Sequence, residues 1–204
     1  MIRLSHKRCV YQIVVWVNLL TMSRSDRRVR RTRNLLATAL LDLAGERPFQ
    51  AITIREITER ADVGYATFFR HYPSKEALLL DVLSGIVDDL ADLLQPIADE
   101  GRLEEAGAEL FTYVAEHAQH LRVLLAAQRG TSSEADVRKS VRERVMASPG
   151  FRTRQDLPPE LAAHHLATAS LELINWWLEN EMPYGPDRMG RIYAHLVVQP
   201  IRNG

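Results

Sequence analysis

The sequence contains a single cysteine, Cys9, among its 204 residues. One thiol excludes an internal disulfide framework and is typical of a protein in a reducing compartment. The signature motifs of several large enzyme classes are missing as well, since the chain has no GxSxG, no GxGxxG, no Walker A loop and no HExxH. Strand-like alternation followed by hairpin turns is also missing. We therefore predict an all-α protein that is not an enzyme, with no cofactor and no metal.

Charge, by contrast, is abundant and unevenly distributed. The chain has 26 basic and 26 acidic side chains, but residues 1–75 carry 14 basic and 6 acidic ones, a net charge of +8. Residues 76–204 carry the opposite net charge, −8. A basic segment attracts polyanions, and an acidic one is repelled by them. The asymmetry favours a nucleic-acid partner for the N-terminal part; the alternative is a solvated surface whose asymmetry has no function.

Residues 1–22 differ in composition from the rest of the chain. Cations precede a run of roughly 12 largely apolar residues, as in a secretory signal, but no small-x-small cleavage site follows. The run is also shorter than the roughly 20 apolar residues of a transmembrane helix. We interpret Met22 as the physiological start and residues 1–21 as an upstream extension of the reading frame. The alternatives are a segment that packs on the body of the protein, and secretion; we expect a cytoplasmic protein without a membrane partner.

The stretch ITIREITERADVGYATFFRHYPSK, residues 52–75, specifies two short helices. Thr53 and Glu56 have the spacing of a capping box, which starts the first helix. Gly64 lies in the short break between the helices, where it supplies a positive φ or allows a close backbone contact. Pro73 ends the second helix. Helices this short are not stable alone in water, so both must pack against neighbouring elements.

Those neighbours are longer helices on either side. Apolar residues recur at helical spacing over 26–43, and Gly45 and Pro48 end that helix. Ser74 caps a further helix from residue 75 to about 94. A short helix pair joined by a Gly-containing turn and supported by a third helix predicts a helix-turn-helix.

A helix-turn-helix places its second helix in the DNA major groove, while neighbouring parts contact phosphates. We expect Phe68 and Phe69 in the core, base-edge contacts from the face that carries Thr67 and Arg70, and an electrostatic arm from the arginine-rich run 24–33. His71, Tyr72 and Lys75 would face the phosphate backbone, as would Thr53 at a helix N-terminus. The predicted DNA-binding residues are Arg30, Arg31, Arg33, Thr53, Gly64, Tyr65, Ala66, Thr67, Arg70, His71, Tyr72 and Lys75.

At these residues the sequence resembles the tetracycline-repressor (TetR/AcrR-like) family of bacterial transcriptional regulators. Members commonly read T-x-x-x-I-A-x-x-A-G-V-S-x-G-T-x-Y-x-H-F-x-x-K-E-x-L, and the resemblance covers about residues 30–80. Gly64, Phe69 and Tyr72 depart from it, standing where serine, tyrosine and phenylalanine are usual. The matching residues are Thr53, Ile57, Ala61, Val63, Ala66, Thr67, His71, Lys75, Glu76 and Leu78.

The resemblance implies an N-terminal helix-turn-helix domain, residues 23–74, and a C-terminal helical ligand-binding and dimerisation domain, residues 75–204. It also implies a ligand-responsive repressor that binds a palindromic operator in double-stranded DNA as a homodimer and is released by a small-molecule inducer. The alternative is an architectural protein that binds DNA without sequence preference.

The C-terminal domain has one helix that is apolar on two faces, over 161–178, and a second apolar stripe after it. A helix apolar on two sides is buried on two sides, which favours a four-helix interface between two copies. The alternative is that these residues fill the core of one copy. The predicted interface residues are Leu166, Ser170, Leu173, Trp177, Ile192, Tyr193 and Leu196.

The effector site is indicated only by aromatic and apolar residues on the middle helices. They line a pocket, or else they are core, as helical aromatics commonly are. The neighbouring pair His117 and His120 has the spacing of two surface histidines rather than a metal site. The predicted ligand-binding residues are Phe111, Tyr113, His117, Leu121, Leu124, Leu125 and Trp176.

Overall fold

In a computed structural model of the protein the described residues are 24–128, 132–148 and 151–202, and their regular structure is entirely helical. The predicted all-α fold is confirmed. The segment 1–22, with the question of a start at Met22, lies outside the described residues.

Nine α-helices succeed one another in this part of the chain. They are α1 (Arg24–Glu46), α2 (Ile54–Arg60), α3 (Tyr65–His71), α4 (Lys75–Asp99), α5 (Leu103–Glu116), α6 (Ala118–Gln128), α7 (Ser132–Ala147), α8 (Pro159–Glu179) and α9 (Pro186–Tyr193). A 3-10 turn, Phe49–Ala51, precedes α2, and a π-helical segment, Ala194–Val198, follows α9 and leads into a 3-10 turn, Gln199–Ile201. In the described residues, no helix is long and apolar enough to cross a membrane.

The helix-turn-helix unit, α1 to α3, packs around one apolar core with the first turns of α4. Fully buried side chains come from each of these elements: Leu36, Leu40, Leu43, Ile57, Phe68, Leu78 and Leu79. The capping box of α2 forms as predicted, because Glu56 N–H donates to Thr53 Oγ1 over 3.3 Å and Thr53 N–H donates to the Glu56 carboxylate over 2.8 Å. The prediction of a helix-turn-helix is confirmed.

The turn between α2 and α3 differs from the expectation. Asp62 has φ +50° and Gly64 has φ −61°, so the left-handed residue is Asp62 and the prediction for Gly64 is wrong. Asp is one of the few residues that adopt this conformation readily, because its short side chain bonds locally. A Cβ on Gly64 would meet only Thr67 Oγ1, at 3.5 Å, so no close backbone contact requires glycine either.

The arginine-rich run 24–33 is the N-terminal part of α1 rather than a separate arm. The predicted electrostatic arm is therefore helical, and its contact with DNA stays a prediction. The run is helical because it continues the helical pattern of the apolar residues that follow it. Arg31 and Arg33 are exposed on this helix, and Arg30 is half-buried.

α4 is longer than predicted and joins the two parts of the molecule. It continues through Pro96 to Asp99 and ends with Gly101 at φ +79°, where Arg102 N–H donates to the Ile97 carbonyl over 3.2 Å. This is a Schellman motif, which satisfies the last carbonyls of a helix. Its first turns contribute to the helix-turn-helix core, and its last turns belong to the C-terminal part.

In the C-terminal part, α5 and α9 cross so closely that their backbones touch. A Cβ on Gly107 would lie 2.7 Å from the Gly190 carbonyl oxygen. Nearby, the Trp177 indole N–H donates to the Tyr184 carbonyl over 3.0 Å, and its ring meets Phe111 edge-to-face at 5.0 Å. Both aromatic side chains are fully buried and form the centre of this core.

Candidate nucleic-acid interface and cavity

The outward face of α3 carries four exposed residues in two adjacent helical rows. Tyr65 and Phe69 form one row and Ala66 and Arg70 the other, because residues four apart lie above one another on a helix. Beside them, Arg70 Nη2 donates to Thr67 Oγ1 over 2.5 Å. This face therefore combines a cation, a hydroxyl and two aromatic edges, which are groups that recognise base edges in the major groove.

Phe69 belongs to this face and not to the core. It is 47% exposed, and its ring contacts Tyr65, itself 54% exposed, edge-to-face at 5.3 Å. The prediction that Phe68 and Phe69 are both core is thus confirmed for Phe68 and wrong for Phe69. A helix of seven residues on a protein surface buries only one narrow stripe, and Phe68 occupies it.

Tyr72 is buried, so its predicted phosphate contact is wrong. α3 ends at His71, and the extended backbone of Tyr72, with φ −139°, turns its side chain inward. The phenol donates to Asp81 Oδ2 over 2.5 Å, and the Arg33 guanidinium lies 5.7 Å from the ring centroid. Burial, together with the Asp81 carboxylate, raises the pKa of Tyr72 and keeps the phenol neutral.

Lys75 is also turned inward, contrary to the predicted phosphate contact. Its ammonium donates to the carbonyl oxygens of Phe49, Gln50 and Ile52 over 3.0, 3.2 and 2.8 Å. It also lies 4.7 Å from the centroid of the Phe49 ring. An ammonium has three donors, and all three are used here. Lys75 therefore ties the start of α4 to the 3-10 turn before α2.

Thr53, like Lys75, uses its hydrogen-bond donors within the protein. Its N–H and its hydroxyl both donate to the Glu56 carboxylate over 2.8 Å, and Arg47 pairs with that carboxylate at 2.9 Å. The Thr53 backbone N–H lowers the pKa of Glu56, which stays ionised. Thr53 is exposed, but its hydroxyl hydrogen is used within the capping box, so its phosphate contact stays a prediction.

His71 is half-buried beside the arginines of the interface. Burial, and then the charges of Arg33 and Arg70, lower the pKa of His71, so that its ring is neutral near pH 7. A neutral imidazole still offers one hydrogen-bond donor.

A second candidate site is a half-open cavity of about 270 Å³ lined by α4, α5, α7, α8 and the segment after α9. Its neutral polar side chains are those of Gln95, Ser148, Ser170 and Tyr193, and the hydroxyl oxygens of Ser170 and Tyr193 lie 3.0 Å apart. Its apolar lining includes Val87, Leu90, Leu94, Leu103, Ala106, Leu110, Val141, Val145, Leu166, Leu171, Ile174, Val198 and Ile201.

The residues predicted to bind ligand do not belong to the described lining of this cavity, and their role in ligand binding stays a prediction. Most of them are core, as the alternative interpretation had it, and Trp176 is 44% exposed at the surface. Tyr113 stacks on His117 with ring centroids 4.3 Å apart. The predicted residues that lie outside the described lining of this cavity are Phe111, Tyr113, His117, Leu121, Leu124, Leu125 and Trp176.

The residues predicted for a dimer interface are divided among four environments. Leu166, Ser170 and Tyr193 line the cavity, and Trp177 is core. Leu173 and Ile192 are half-buried against the core, and Leu196 is 65% exposed. The two-faced apolar pattern of α8 was a signal for the cavity, because one of its faces covers that space.

Comparison with known proteins agrees with the geometry. Residues 36–82 match the family described as bacterial regulatory proteins, tetR family. The chain is 41% identical to the HTH-type transcriptional regulator YxbF of Bacillus subtilis over 86 residues, which are 40% of this chain and 22% of YxbF. It is 29% identical to the HTH-type transcriptional regulator EthR of Mycobacterium tuberculosis over 155 residues, 69% of this chain and 70% of EthR. The chain thus spans about a fifth of YxbF and over two thirds of EthR.

Solved structures share the fold. FadR of Thermus thermophilus, a TetR-family repressor determined in complex with lauroyl-CoA, aligns with a TM-score of 0.57 and 23% identity over 84% of this chain and 97% of that one. A TetR transcriptional regulator from Rhodococcus sp. RHA1 aligns with a TM-score of 0.59 and 17% identity over 85% of this chain and 98% of that one. The helix-turn-helix of this chain is thus that of the tetR family of bacterial regulatory proteins, and the helices behind it have the fold of solved TetR-family regulators.

Proposed function

We propose that the protein is a cytoplasmic repressor that binds a palindromic operator as a homodimer and is released by a small-molecule inducer. The observation that carries this proposal is the outward face of α3, where Arg70, Thr67, Tyr65 and Phe69 project from the basic N-terminal part of the chain. Such a face supports base reading, and the net charge of +8 over residues 1–75 supports phosphate attraction.

The roles within the interface follow from exposure. Arg70 is placed to reach a guanine with Thr67 supporting its guanidinium, and the small Ala66 allows a close approach to the groove. We assign phosphate contacts to Arg31 and Arg33, which are exposed on α1. Such contacts fix the register of the protein without reading sequence. We assign residues 23–74 to DNA binding and residues 75–204 to ligand binding and dimerisation, with α4 shared between them.

The second copy is expected on the outer surface of α8 and the segment after α9. Large apolar side chains are exposed there: Leu161 is 56% exposed, Trp176 44% and Leu196 65%. Burying these side chains against their symmetry mates supports an isologous dimer. Two recognition helices spaced by about one helical turn of DNA, roughly 34–36 Å, suit a palindrome.

The first test is binding of the full chain to its own upstream intergenic DNA and to a scrambled duplex across a salt series. We expect a footprint on a palindrome with a preference of at least ~10³ at physiological salt. Arg70→Ala should weaken operator binding about tenfold and affect the scrambled duplex much less, because a base contact is lost.

Arg188→Ala is the matched control, since Arg188 lies on α9 against the Tyr184 ring, 4.1 Å from its centroid, and its removal should leave both affinities unchanged. Equal, steeply salt-dependent binding of both duplexes by the unaltered protein would favour the architectural alternative.

The dimer is tested by Leu196→Glu. A carboxylate at the centre of an apolar interface lacks a partner, so the dimer dissociation constant should rise at least about tenfold in sedimentation equilibrium. Leu93→Glu is the control, because Leu93 is an exposed leucine on α4 and its change should not alter the assembly. A Leu196→Glu protein that dimerises as tightly as the unaltered one would place the interface elsewhere.

A further inference from the structure

Two of the polar side chains that line the cavity form a pair of hydrogen-bonded hydroxyl groups. Ser170 lies on α8 and is buried, and Tyr193 lies at the end of α9. Ser170 Oγ is 2.6 Å from the carbonyl oxygen of Leu166 and 3.0 Å from Tyr193 Oη. Both distances are those of hydrogen bonds between oxygens.

The hydrogens in this pair have only one consistent arrangement. A carbonyl cannot donate, so the Ser170 hydrogen must point to Leu166 O. Ser170 Oγ can then only accept from Tyr193, and the Tyr193 hydrogen is used as well. Both donors are consumed inside the protein, while Tyr193 Oη keeps a free lone pair. The pair therefore offers the cavity an acceptor and no donor.

Charge does not change this conclusion. Burial raises the pKa of Tyr193, so its phenol is neutral. Among the charged residues that line the cavity, Arg144 pairs with Asp88 and Asp92 of α4, and Arg202 donates to the Ala98 carbonyl over 3.1 Å. The other two that the structure describes, Asp99 and Arg152, are exposed and opposite in sign.

We infer that the effector is a neutral, mainly apolar molecule that donates a hydroxyl or amine hydrogen to Tyr193 Oη. The inference rests on the proposed function, in which this cavity is the effector site. A volume of about 270 Å³ lies near the lower end of the roughly 300–1,000 Å³ that small-molecule pockets occupy. The effector is thus small, with one polar end.

The test compares two probes with the same number of non-hydrogen atoms, 1-octanol and 1-methoxyheptane, by titration calorimetry on the full chain. Both fill the cavity with an alkyl chain, but only the alcohol donates a hydrogen bond. The alcohol should bind about fivefold more tightly, the usual net value of one neutral hydrogen bond. Octanoate, which is ionised and can only accept, should bind more weakly than either.

Two variants separate this hydrogen bond from simple filling. Tyr193→Phe removes the acceptor. The ratio of alcohol affinity to ether affinity should therefore fall towards one, because the alcohol binds more weakly. Ser170→Ala frees the Tyr193 hydrogen, which can then be donated to the ether oxygen. The ratio of alcohol affinity to ether affinity should again fall towards one, in this case because the ether binds more tightly. Tyr184→Phe is the matched control, because Tyr184 is not among the described cavity residues, and it should keep the fivefold preference.

Equal binding of alcohol and ether by the unaltered protein overturns the inference, as do tighter binding of octanoate, loss of the preference in Tyr184→Phe, and the absence of a binding heat for both probes. Operator release by 1-octanol is measured separately. If the calorimetric pattern holds but the operator stays bound, the effector part of the proposed function fails and the assignment of Tyr193 stands.

Discussion

Gly190→Ala is expected to destabilise the protein by about 3 kcal/mol or more, at the upper end of overpacking substitutions. A Cβ on Gly190 would lie 2.3 Å from the Ala108 nitrogen and 2.7 Å from the Glu104 carbonyl oxygen. These atoms belong to the backbone of α5, so no side-chain rotation relieves the contact. α5 and α9 would have to separate, and the packing around the crossing would be lost with them.

The measurement is urea denaturation of Gly190→Ala beside Gly85→Ala. Gly85 also lies in a helix, α4, but a Cβ there meets nothing within 4 Å. Alanine at Gly85 should therefore stabilise the protein by up to about 1 kcal/mol, the helix-propensity difference between the two residues. If the two Gly→Ala substitutions change the free energy of unfolding in opposite directions, the close crossing of α5 and α9 is the cause of the difference. A Gly190→Ala protein as stable as the unaltered one would show that α5 and α9 do not touch at this point.

Lys75→Met is expected to lower the free energy of unfolding by about 3 kcal/mol. Hydrogen bonds to a charged group contribute about 1.5–3 kcal/mol each, and three are lost. The total stays below their sum because water can reach part of the 3-10 turn. Methionine keeps an apolar side chain against Phe49, so the loss of stability measures the contribution of the Lys75 ammonium. Lys139→Met, which removes an exposed lysine of α7, should change stability by less than about 0.5 kcal/mol.

The same variant separates two roles for Lys75. If its role is structural, the folded Lys75→Met protein keeps its ratio of operator to random-DNA affinity and its dependence on salt. A phosphate contact would instead reduce the salt slope by about one and weaken both duplexes alike. The second outcome would restore the interpretation made from the sequence.

The helix-turn-helix could be predicted because its signals are local. The capping box at Thr53 and Glu56, the cap at Ser74 and the stop at Pro73 each act within one helical turn, so neighbouring residues suffice to specify them. The burial of Phe68 is predictable for the same reason, because a short helix has one apolar stripe and Phe68 lies on it.

Contacts between distant segments could not be predicted in this way. Tyr72 is buried because the backbone becomes extended one residue after α3 ends, where helical spacing no longer applies. Lys75 finds its partners more than 20 residues earlier in the chain. The cavity requires helices from α4 to α9, and Ser170 and Tyr193 meet in it across 23 residues.

α4 behaves as a lever arm. Its first turns are fixed in the helix-turn-helix unit and its last turns form a wall of the cavity, and its 25 residues make it about 37 Å long. A tilt of roughly 5° at the cavity end therefore moves the other end by about 3 Å, nearly the ~3.4 Å step between base pairs. In the proposed homodimer the two displacements would add. On the proposal that this cavity is the effector site, a few degrees of rotation set by a small occupant would take both recognition helices out of step with their half-sites.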